Sequence, residues 1–176
     1  MQDYVLVHAQ PADMQSHTDW YGDVDVPVLL VKKKNPPWQV GKYNLVGGKI
    51  EPGESPVDAA IREFIEEAGP NKKERTPEQM GIVKGDWGNI YCFKKSVDAD
   101  FFPSQAIEKV VWMDWEKAKN HEDLMPNLRI IIPLLAMGLR GWAITDNGEF
   151  WGQDRHLITV DIRGTKAVVE NSIDQW

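Results

Sequence analysis

The sequence has a single cysteine, Cys92, among 176 residues, and it has no long apolar segment. A lone cysteine excludes an internal disulfide, which favours a reducing compartment, so we expect a cytoplasmic protein. The longest apolar run, residues 130–139, is too short to span a bilayer. The N-terminal sequence lacks the basic region and apolar run of a signal peptide. A membrane is therefore not an expected partner.

Basic residues are also scarce, since 27 acids outnumber 20 bases and give a net charge of −7. A protein that binds duplex DNA non-specifically usually has the opposite balance, and no run of Lys and Arg is present, so nucleic acid is not an expected partner either. The remaining composition is that of a globular protein, and the length suits one domain with an extension. An acidic protein can still bind a phosphorylated ligand if a metal ion supplies the positive charge.

Short β-branched runs predict strands at residues 4–7 and 26–33. A helix is expected to begin at Ser55, because serine is a good N-cap and Pro56 suits the first helical position. Apolar residues then recur at helical spacing until Gly69, which should end the helix.

Downstream, the pattern predicts a β-hairpin with its turn at residues 85–88 and a second helix over residues 126–139. Pro133 lies inside that helix and should kink it. Residues 141–176 differ in character, with a turn signal at residues 146–148 and strand-like runs. They predict a β-rich, hairpin-like extension to a domain formed by residues 1–140.

Three acids, Glu63, Glu66 and Glu67, lie on one side of the predicted helix, in its C-terminal half. Like charges at these spacings repel each other, and the helix dipole disfavours anions there. Arg62 can relieve Glu66 but cannot neutralise the set. A solvated acidic face is one interpretation; a site for a hard cation such as Mg²⁺ or Mn²⁺ is the other, since these ions bind carboxylate oxygens.

A double glycine, Gly47 and Gly48, precedes this helix. Two glycines let the backbone approach a ligand closely or turn a carbonyl toward it. They are also typical of a tight turn or a bulge after a strand. In combination with a capped helix that carries stacked carboxylates, the ligand-binding interpretation is favoured.

This stretch resembles the box of the Nudix hydrolases, G-x(5)-E-x(7)-R-E-U-x-E-E-x-G-U, in which U is a bulky apolar residue. The matching residues, with every spacing intact, are Gly48, Glu54, Arg62, Glu63, Phe64, Glu66, Glu67 and Gly69. Pro70 departs from the last position, which holds no ligand in the family. The resemblance covers about residues 1–140 and implies a three-layer α/β/α sandwich with a mixed β-sheet.

The resemblance also implies roles for residues of the box. Glu63, Glu66 and Glu67 would bind the metal and supply the general base, and Arg62 would orient them by ion pairing. Glu54 would hold the loop or join the metal shell. A carbonyl of Gly47 or Gly48 often completes the coordination in the family, and Glu108 is a further candidate ligand, although it could equally be a surface residue.

The chemistry that the resemblance implies is attack of water on a phosphorus of a diphosphate linkage in a nucleoside diphosphate derivative, with Mg²⁺ or Mn²⁺ as cofactor. Cleavage of a nucleoside triphosphate to monophosphate and pyrophosphate, as in MutT-type members, is favoured. ADP-ribose, sugar nucleotides and dinucleoside polyphosphates are alternative substrates. A nucleotide-binding sensor without catalysis is a second alternative, which the intact set of box glutamates disfavours.

Several residues could contact such a substrate. Asn44 stands where some relatives use an asparagine to bind the base, but it could instead cap a strand end. Trp38, Trp87 and Tyr91 could stack on a base, because stacking on aromatic rings stabilises bases. Lys49 could meet a phosphate or simply be exposed. The extension could be a homodimer contact, a lid or a structural brace.

Overall fold

The computed structural model describes residues 1–14, 26–104 and 108–145, together with the backbone of three short strands beyond them. The first half contains β1 (Tyr4–Pro11), β2 (Pro27–Lys32), a 3₁₀ turn (Pro37–Gln39), β3 (Tyr43–Leu45), α1 (Pro56–Ala68), β4 (Glu78–Gly85) and β5 (Gly88–Val97). The second half contains β6 (Lys109–Asp114), α2 (Trp115–Lys119), α3 (Leu128–Ala136), β7 (Trp142–Thr145), β8 (Phe150–Trp151), β9 (Leu157–Val160) and β10 (Ala167–Glu170).

The strands form a mixed arrangement of two sheets. The larger sheet has the order β1-β5-β4-β7-β8-β9-β10, and the smaller has the order β3-β2-β6. Strand β1 runs parallel to β5 and β4 runs parallel to β7, whereas β4 and β5 form an antiparallel hairpin. The chain after β3 joins the two sheets, because Val7 N donates to Val46 O at 2.8 Å and Val5 N donates to Gly48 O at 2.9 Å. This contact fixes the double glycine against β1.

Two hydrophobic clusters lie on opposite faces of the strands, which makes three layers. Alternate side chains of β1 divide between them, as period 2 requires. Val5 and Val7 pack in the cluster that contains Phe64 of α1, and Leu6 packs in the cluster that contains Ile132 of α3. The predicted three-layer α/β/α sandwich with a mixed sheet is confirmed.

Helix α1 has the predicted limits. The Ser55 hydroxyl accepts a hydrogen bond from Asp58 N at 3.2 Å, and Pro56 is the first helical residue. Gly69 caps the C-terminus at φ 94°, a conformation that glycine adopts without strain. Phe64 and Ala60 are fully buried, so the apolar face of the helix lies on the sheet and its acidic face points away from this core.

The hairpin of β4 and β5 is confirmed, with Gly85 opposite Gly88 at its turn. Helix α3 is shorter than the predicted span of residues 126–139, because Gly138 adopts φ 72° and ends it. The helix continues through Pro133, whose own carbonyl accepts a hydrogen bond from Met137 N at 2.9 Å. No helix among the described residues is long and apolar enough to cross a membrane.

The start of the C-terminal extension packs into the domain. Trp142 and Ile144 of β7 are buried in the same cluster as α3. Gly81 makes room for the indole, since a Cβ atom there would lie 2.1 Å from the Trp142 ring. The predicted β-rich character of the extension is confirmed by β7 to β10, while the predicted turn at residues 146–148 lies outside the described residues. The boundary at residue 140, and a dimer, lid or brace role, stay predictions.

A pair of truncations tests that boundary. We expect a chain that ends after Thr145 to unfold near the urea midpoint of the full chain. A chain that ends after Arg140 should be destabilised by about 3–5 kcal/mol, because removal of a buried tryptophan costs that much in protein cores. Equal stability of the two truncated chains would show that Trp142 contributes little and would support the boundary at residue 140.

Candidate functional site

A cavity of about 860 Å³ opens beside the double glycine and the acidic face of α1. Its acidic part is lined by Glu63, Glu67 and Glu108, with the Gly47 and Gly48 backbone between them. The structure therefore brings together five of the residues predicted as metal ligands. They come from α1, from residues 47–49, which we call the glycine loop, and from the segment before β6. Glu66 does not line the cavity; its side chain is 57% exposed.

Arg62 organises the carboxylates of the box. Its guanidinium has five N–H donors, and five acceptors take them. Glu54 is held at two points, at 2.8 and 2.9 Å, while Glu63 and Glu66 accept at 2.8 and 3.2 Å. The fifth acceptor is the carbonyl of Lys49, which ties the glycine loop to the helix. Arg62 thus has the predicted orienting contacts, and lysine could not reproduce this planar set.

Glu54 and Glu63 differ in environment although both are bound to Arg62. The hydrogen bond from Arg62 lowers the pKa of the Glu54 carboxyl. Burial raises the pKa of Glu63, and the Arg62 contact only opposes this. The Glu63 carboxylate lies directly over Gly48, since a Cβ atom on Gly48 would stand 2.3 Å from Glu63 Oε1. Position 48 therefore favours glycine, because a side chain there would collide with this carboxylate.

Glu67 is the most enclosed acid of the helix. Its Oε2 accepts from Gly47 N at 2.9 Å, and its Oε1 is in contact with the ammonium of Lys33. Burial raises the pKa of Glu67 to about 7, although Lys33 and the Gly47 N–H act in the opposite direction. A carboxyl that titrates near neutrality is suited to general-base catalysis.

Lys33 is a site residue that the sequence analysis missed. It is only 8% exposed and donates to Gly47 O at 3.0 Å as well as contacting Glu67. The alternation of side chains along β2 could have identified it. Leu29 and Val31 face α1, and residue 33, two positions further, is expected on the same side. Lys33 also approaches Glu108, with 3.6 Å between its Nζ and Glu108 Oε2.

Glu108 reaches the cavity from the segment that precedes β6. Its Oε1 accepts from Lys34 N at 2.7 Å, and its Oε2 is buried without a hydrogen-bond partner. A buried carboxylate oxygen that accepts no hydrogen bond is costly, and the ammonium of Lys33 at 3.6 Å offsets this cost only in part. This atom makes Glu108 a better candidate ligand than a surface residue.

The oxygen donors fit a divalent cation in kind, but each of them already contacts Arg62 or Lys33. In the part of the chain that the structure describes, no three acidic, histidine or cysteine side chains converge as a ready-made metal cage. Arg62 holds Glu63 and Glu66, and Lys33 lies among Gly47, Glu67 and Glu108. Carboxylates and a backbone carbonyl are the hard ligands that Mg²⁺ and Mn²⁺ prefer, and Glu108 Oε2, which accepts no hydrogen bond, has capacity to bind one of these ions.

Aromatic residues form another part of the cavity lining. Trp38 is 68% exposed and Trp87 is 44% exposed, and both contribute to the wall together with Lys49. The Tyr4 ring packs edge-on to Trp87 at 6.1 Å between centroids. Tyr91 is not among the lining residues; it packs against the cluster under α1.

Three asparagines, Asn35, Asn44 and Asn127, also line the cavity. The Asn44 amide is already engaged, since its Nδ2 donates to Gln39 Oε1 at 3.2 Å and its Oδ1 accepts from Leu45 N at 2.8 Å. Asn127, which the sequence analysis did not single out, presents a buried Oδ1 without a partner. It lies immediately before α3, and its side chain makes no capping hydrogen bond.

Known proteins resemble this chain in sequence and in fold. The family model described as NUDIX domain matches residues 21–135. A Bacillus subtilis (strain 168) protein named "Putative 8-oxo-dGTP diphosphatase" is 48% identical over 44 residues, which cover 25% of this chain and 27% of that protein. The match thus spans about a quarter of the relative's length.

Two solved structures resemble the chain in fold. The MutT protein of Bacillus halodurans aligns with a TM-score of 0.56 at 22% identity, over 89% of this chain and 94% of that chain. The NUDIX domain of Shewanella oneidensis NrtR, solved in complex with ADP ribose, aligns with a TM-score of 0.57 at 19% identity, over 77% and 86%. At these identities the likeness concerns the fold.

Glu67 should make the metal-free protein less stable as the pH rises. Because the folded state raises the pKa of Glu67 from 4.5 to about 7, its stabilising contribution is complete below pH 4.5 and is lost as the pH rises to about 7. We expect the free energy of unfolding of the wild type, relative to Glu67→Gln, to fall by on the order of 3 kcal/mol over this range. Urea denaturation with a chelator present measures this, and a constant difference would show that the Lys33 contact cancels the effect of burial.

Substitution of Gly48 by alanine should displace the Glu63 carboxylate without unfolding the domain. The added methyl group would meet the mobile end of a side chain, whereas at Gly47 it would meet Val5 O at 2.1 Å, a backbone atom, at φ 153°. Gly48→Ala should therefore keep the melting temperature and bind Mn²⁺ at least tenfold more weakly in a paramagnetic resonance titration. Gly47→Ala should melt lower. Unchanged Mn²⁺ binding in Gly48→Ala would exclude Glu63 from the metal site.

Proposed function

We propose that this chain, which belongs to the NUDIX domain family, is a metal-dependent hydrolase that cleaves a diphosphate linkage in a nucleoside diphosphate derivative. Conversion of a nucleoside triphosphate to its monophosphate and pyrophosphate is the favoured reaction. Family membership rests on the match over most of the domain. The activity itself is our inference from the site.

One observation carries the proposal: a single cavity has a carboxylate-rich part beside the double glycine and an aromatic part with amide groups. Oxygen ligands suit a divalent cation and, through it, a diphosphate. Aromatic rings and amides suit a nucleobase, which stacks and hydrogen-bonds. A ligand that has both a diphosphate and a base would occupy both parts at once.

The acidic part supports hydrolysis by water. A divalent cation bound there would shield the phosphate charge and lower the pKa of a water molecule. Glu63, Glu67 and Glu108 would hold the cation with the Gly47 carbonyl. Glu66 shares the guanidinium of Arg62 with Glu63 on the same helix. Glu67, whose pKa burial raises to about 7 in the metal-free protein, would be the general base through a carboxylate oxygen that the cation leaves free. The buried Cys92 is not a candidate nucleophile, since burial raises the pKa of its thiol.

The aromatic part supports a nucleotide as the substrate. Trp38 and Trp87 offer faces for stacking, Lys49 is exposed at the cavity for contact with a phosphate, and Asn127 offers an unpartnered amide oxygen to a donor on the base. Asn44 retains a role in base contact only through its remaining lone pair or its second N–H. The Bacillus subtilis relative, by its name, favours a purine nucleoside triphosphate over ADP-ribose, a sugar nucleotide or a dinucleoside polyphosphate.

Turnover of a substrate panel tests the proposal. dGTP, 8-oxo-dGTP, ADP-ribose, a sugar nucleotide and a diadenosine polyphosphate are each supplied with Mg²⁺, and the products are separated by chromatography. We expect a nucleoside triphosphate to give monophosphate and pyrophosphate, with no turnover when a chelator is present. Hydrolysis in ¹⁸O-water should place one heavy oxygen in one product even in a single turnover, because water attacks directly.

Matched variants complete the test. Glu67→Gln should lose at least a hundredfold in kcat, since one of the groups in general-base catalysis typically contributes about 10²–10⁴-fold. Glu116→Gln, on the exposed surface of α2, is the control and should retain full activity. Nucleotide binding that depends on the metal, with no cleavage of any panel member, would favour the sensor alternative.

A further inference from the structure

Lys33 occupies the place of a cation within the acidic part of the cavity. Its ammonium lies 3.0 Å from Gly47 O, in contact with Glu67 Oε1, and 3.6 Å from Glu108 Oε2. These three oxygens come from the glycine loop, α1 and the segment before β6. The contacts of the one ammonium therefore join three separate parts of the site.

All three oxygens are also among the proposed ligands of the divalent cation. Mg²⁺ binds oxygen at about 2.0–2.1 Å, so an ion shared by Gly47 O, Glu67 and Glu108 would stand in the space that the ammonium takes. Two cations cannot share the same lone pairs, and they repel each other strongly at such a separation in a partly buried site. The ammonium and the metal ion are alternatives for one position.

The charge balance shows which occupant is favoured when both are present. Lys33 brings one positive charge against the two carboxylates Glu67 and Glu108, and Glu108 Oε2 still lacks a hydrogen bond. A divalent ion would match both carboxylates. Lys33 has a long, flexible stem, and it lines a cavity large enough to receive its displaced ammonium.

We propose that Lys33 is an internal counter-cation that holds the ligand oxygens in the metal-free protein and is displaced when the divalent cation binds. Lys33 is a positioning residue in this scheme. It compensates the negative charge of the two buried carboxylates in the metal-free protein. It also weakens the affinity for metal, because the ion must displace it. The inference rests on the proposed function, since it requires the divalent cation to bind at these oxygens.

Manganese affinity distinguishes a competitor from a structural support. Free Mn²⁺ is measured by paramagnetic resonance at pH 8 in titrations of the wild type, Lys33→Met and Lys32→Met. Lys32→Met is the control, because it removes the same charge from the neighbouring residue, whose ammonium lies over the Tyr43 ring. We expect Lys33→Met to bind Mn²⁺ at least tenfold more tightly than Lys32→Met. With a chelator present, Lys33→Met should melt lower than Lys32→Met, and Mn²⁺ should raise its melting temperature by more.

A second measurement needs no variant. In the wild type, acetylation of Lys33 by an amine-reactive ester, followed by mass spectrometry, should be slow without metal and at least fivefold faster at saturating Mg²⁺, while Lys32 changes little. If Lys33→Met fails to fold without metal, Lys33→Gln, which can still donate to Gly47 O, replaces it in the titration.

The outcomes separate the inference from the proposed function. Mn²⁺ binding by the wild type that weakens in Lys33→Met, or Lys33 equally protected with and without Mg²⁺, would overturn the displacement while leaving the metal site in place. Absence of Mn²⁺ binding in the wild type and in Lys33→Met alike would overturn the metal site, and with it both the proposed function and the inference.

Discussion

The site depends on an excess of carboxylates over basic side chains. Five carboxylates gather between α1, the glycine loop and the segment before β6: Glu54, Glu63, Glu66, Glu67 and Glu108. Only Arg62 and Lys33 pair with them among the contacts that the structure describes. Unpaired buried charge is costly, so the two basic side chains are needed for the fold to bring the acids together. The excess of negative charge is in turn what a divalent cation would relieve.

The two cations divide the site into parts with different character. Arg62 is bound at all of its donors and joins Glu54, Glu63 and the glycine loop through hydrogen bonds. Lys33 is a point charge on a flexible stem, and a single ammonium is more easily displaced than a planar guanidinium held at five contacts. The Glu63 carboxylate lies so close to Gly48 that a larger residue at position 48 would displace it.

Local signals made most of the fold predictable. The capped helix and the hairpin were predicted because serine, proline and glycine act on the backbone where they stand, and the box was found by its resemblance to the Nudix hydrolases. The length of α3 was overestimated, because the apolar run continues through Leu139 although Gly138 ends the helix. Long-range placement was less accessible: that Trp142 is buried against Gly81 depends on how β7 pairs with β4, which no local pattern encodes.

The same distinction applies to the site. Spacing along one helix was enough to group Glu63, Glu66 and Glu67, whereas Lys33 and Asn127 join them only through the packing of separate elements. The most direct test of the account is a crystal structure with Mn²⁺, located by its anomalous scattering. We predict an anomalous peak bounded by the carboxylates of Glu63, Glu67 and Glu108 and the Gly47 carbonyl. No peak there at saturating Mn²⁺, with the Lys33 ammonium still among those oxygens, would contradict it.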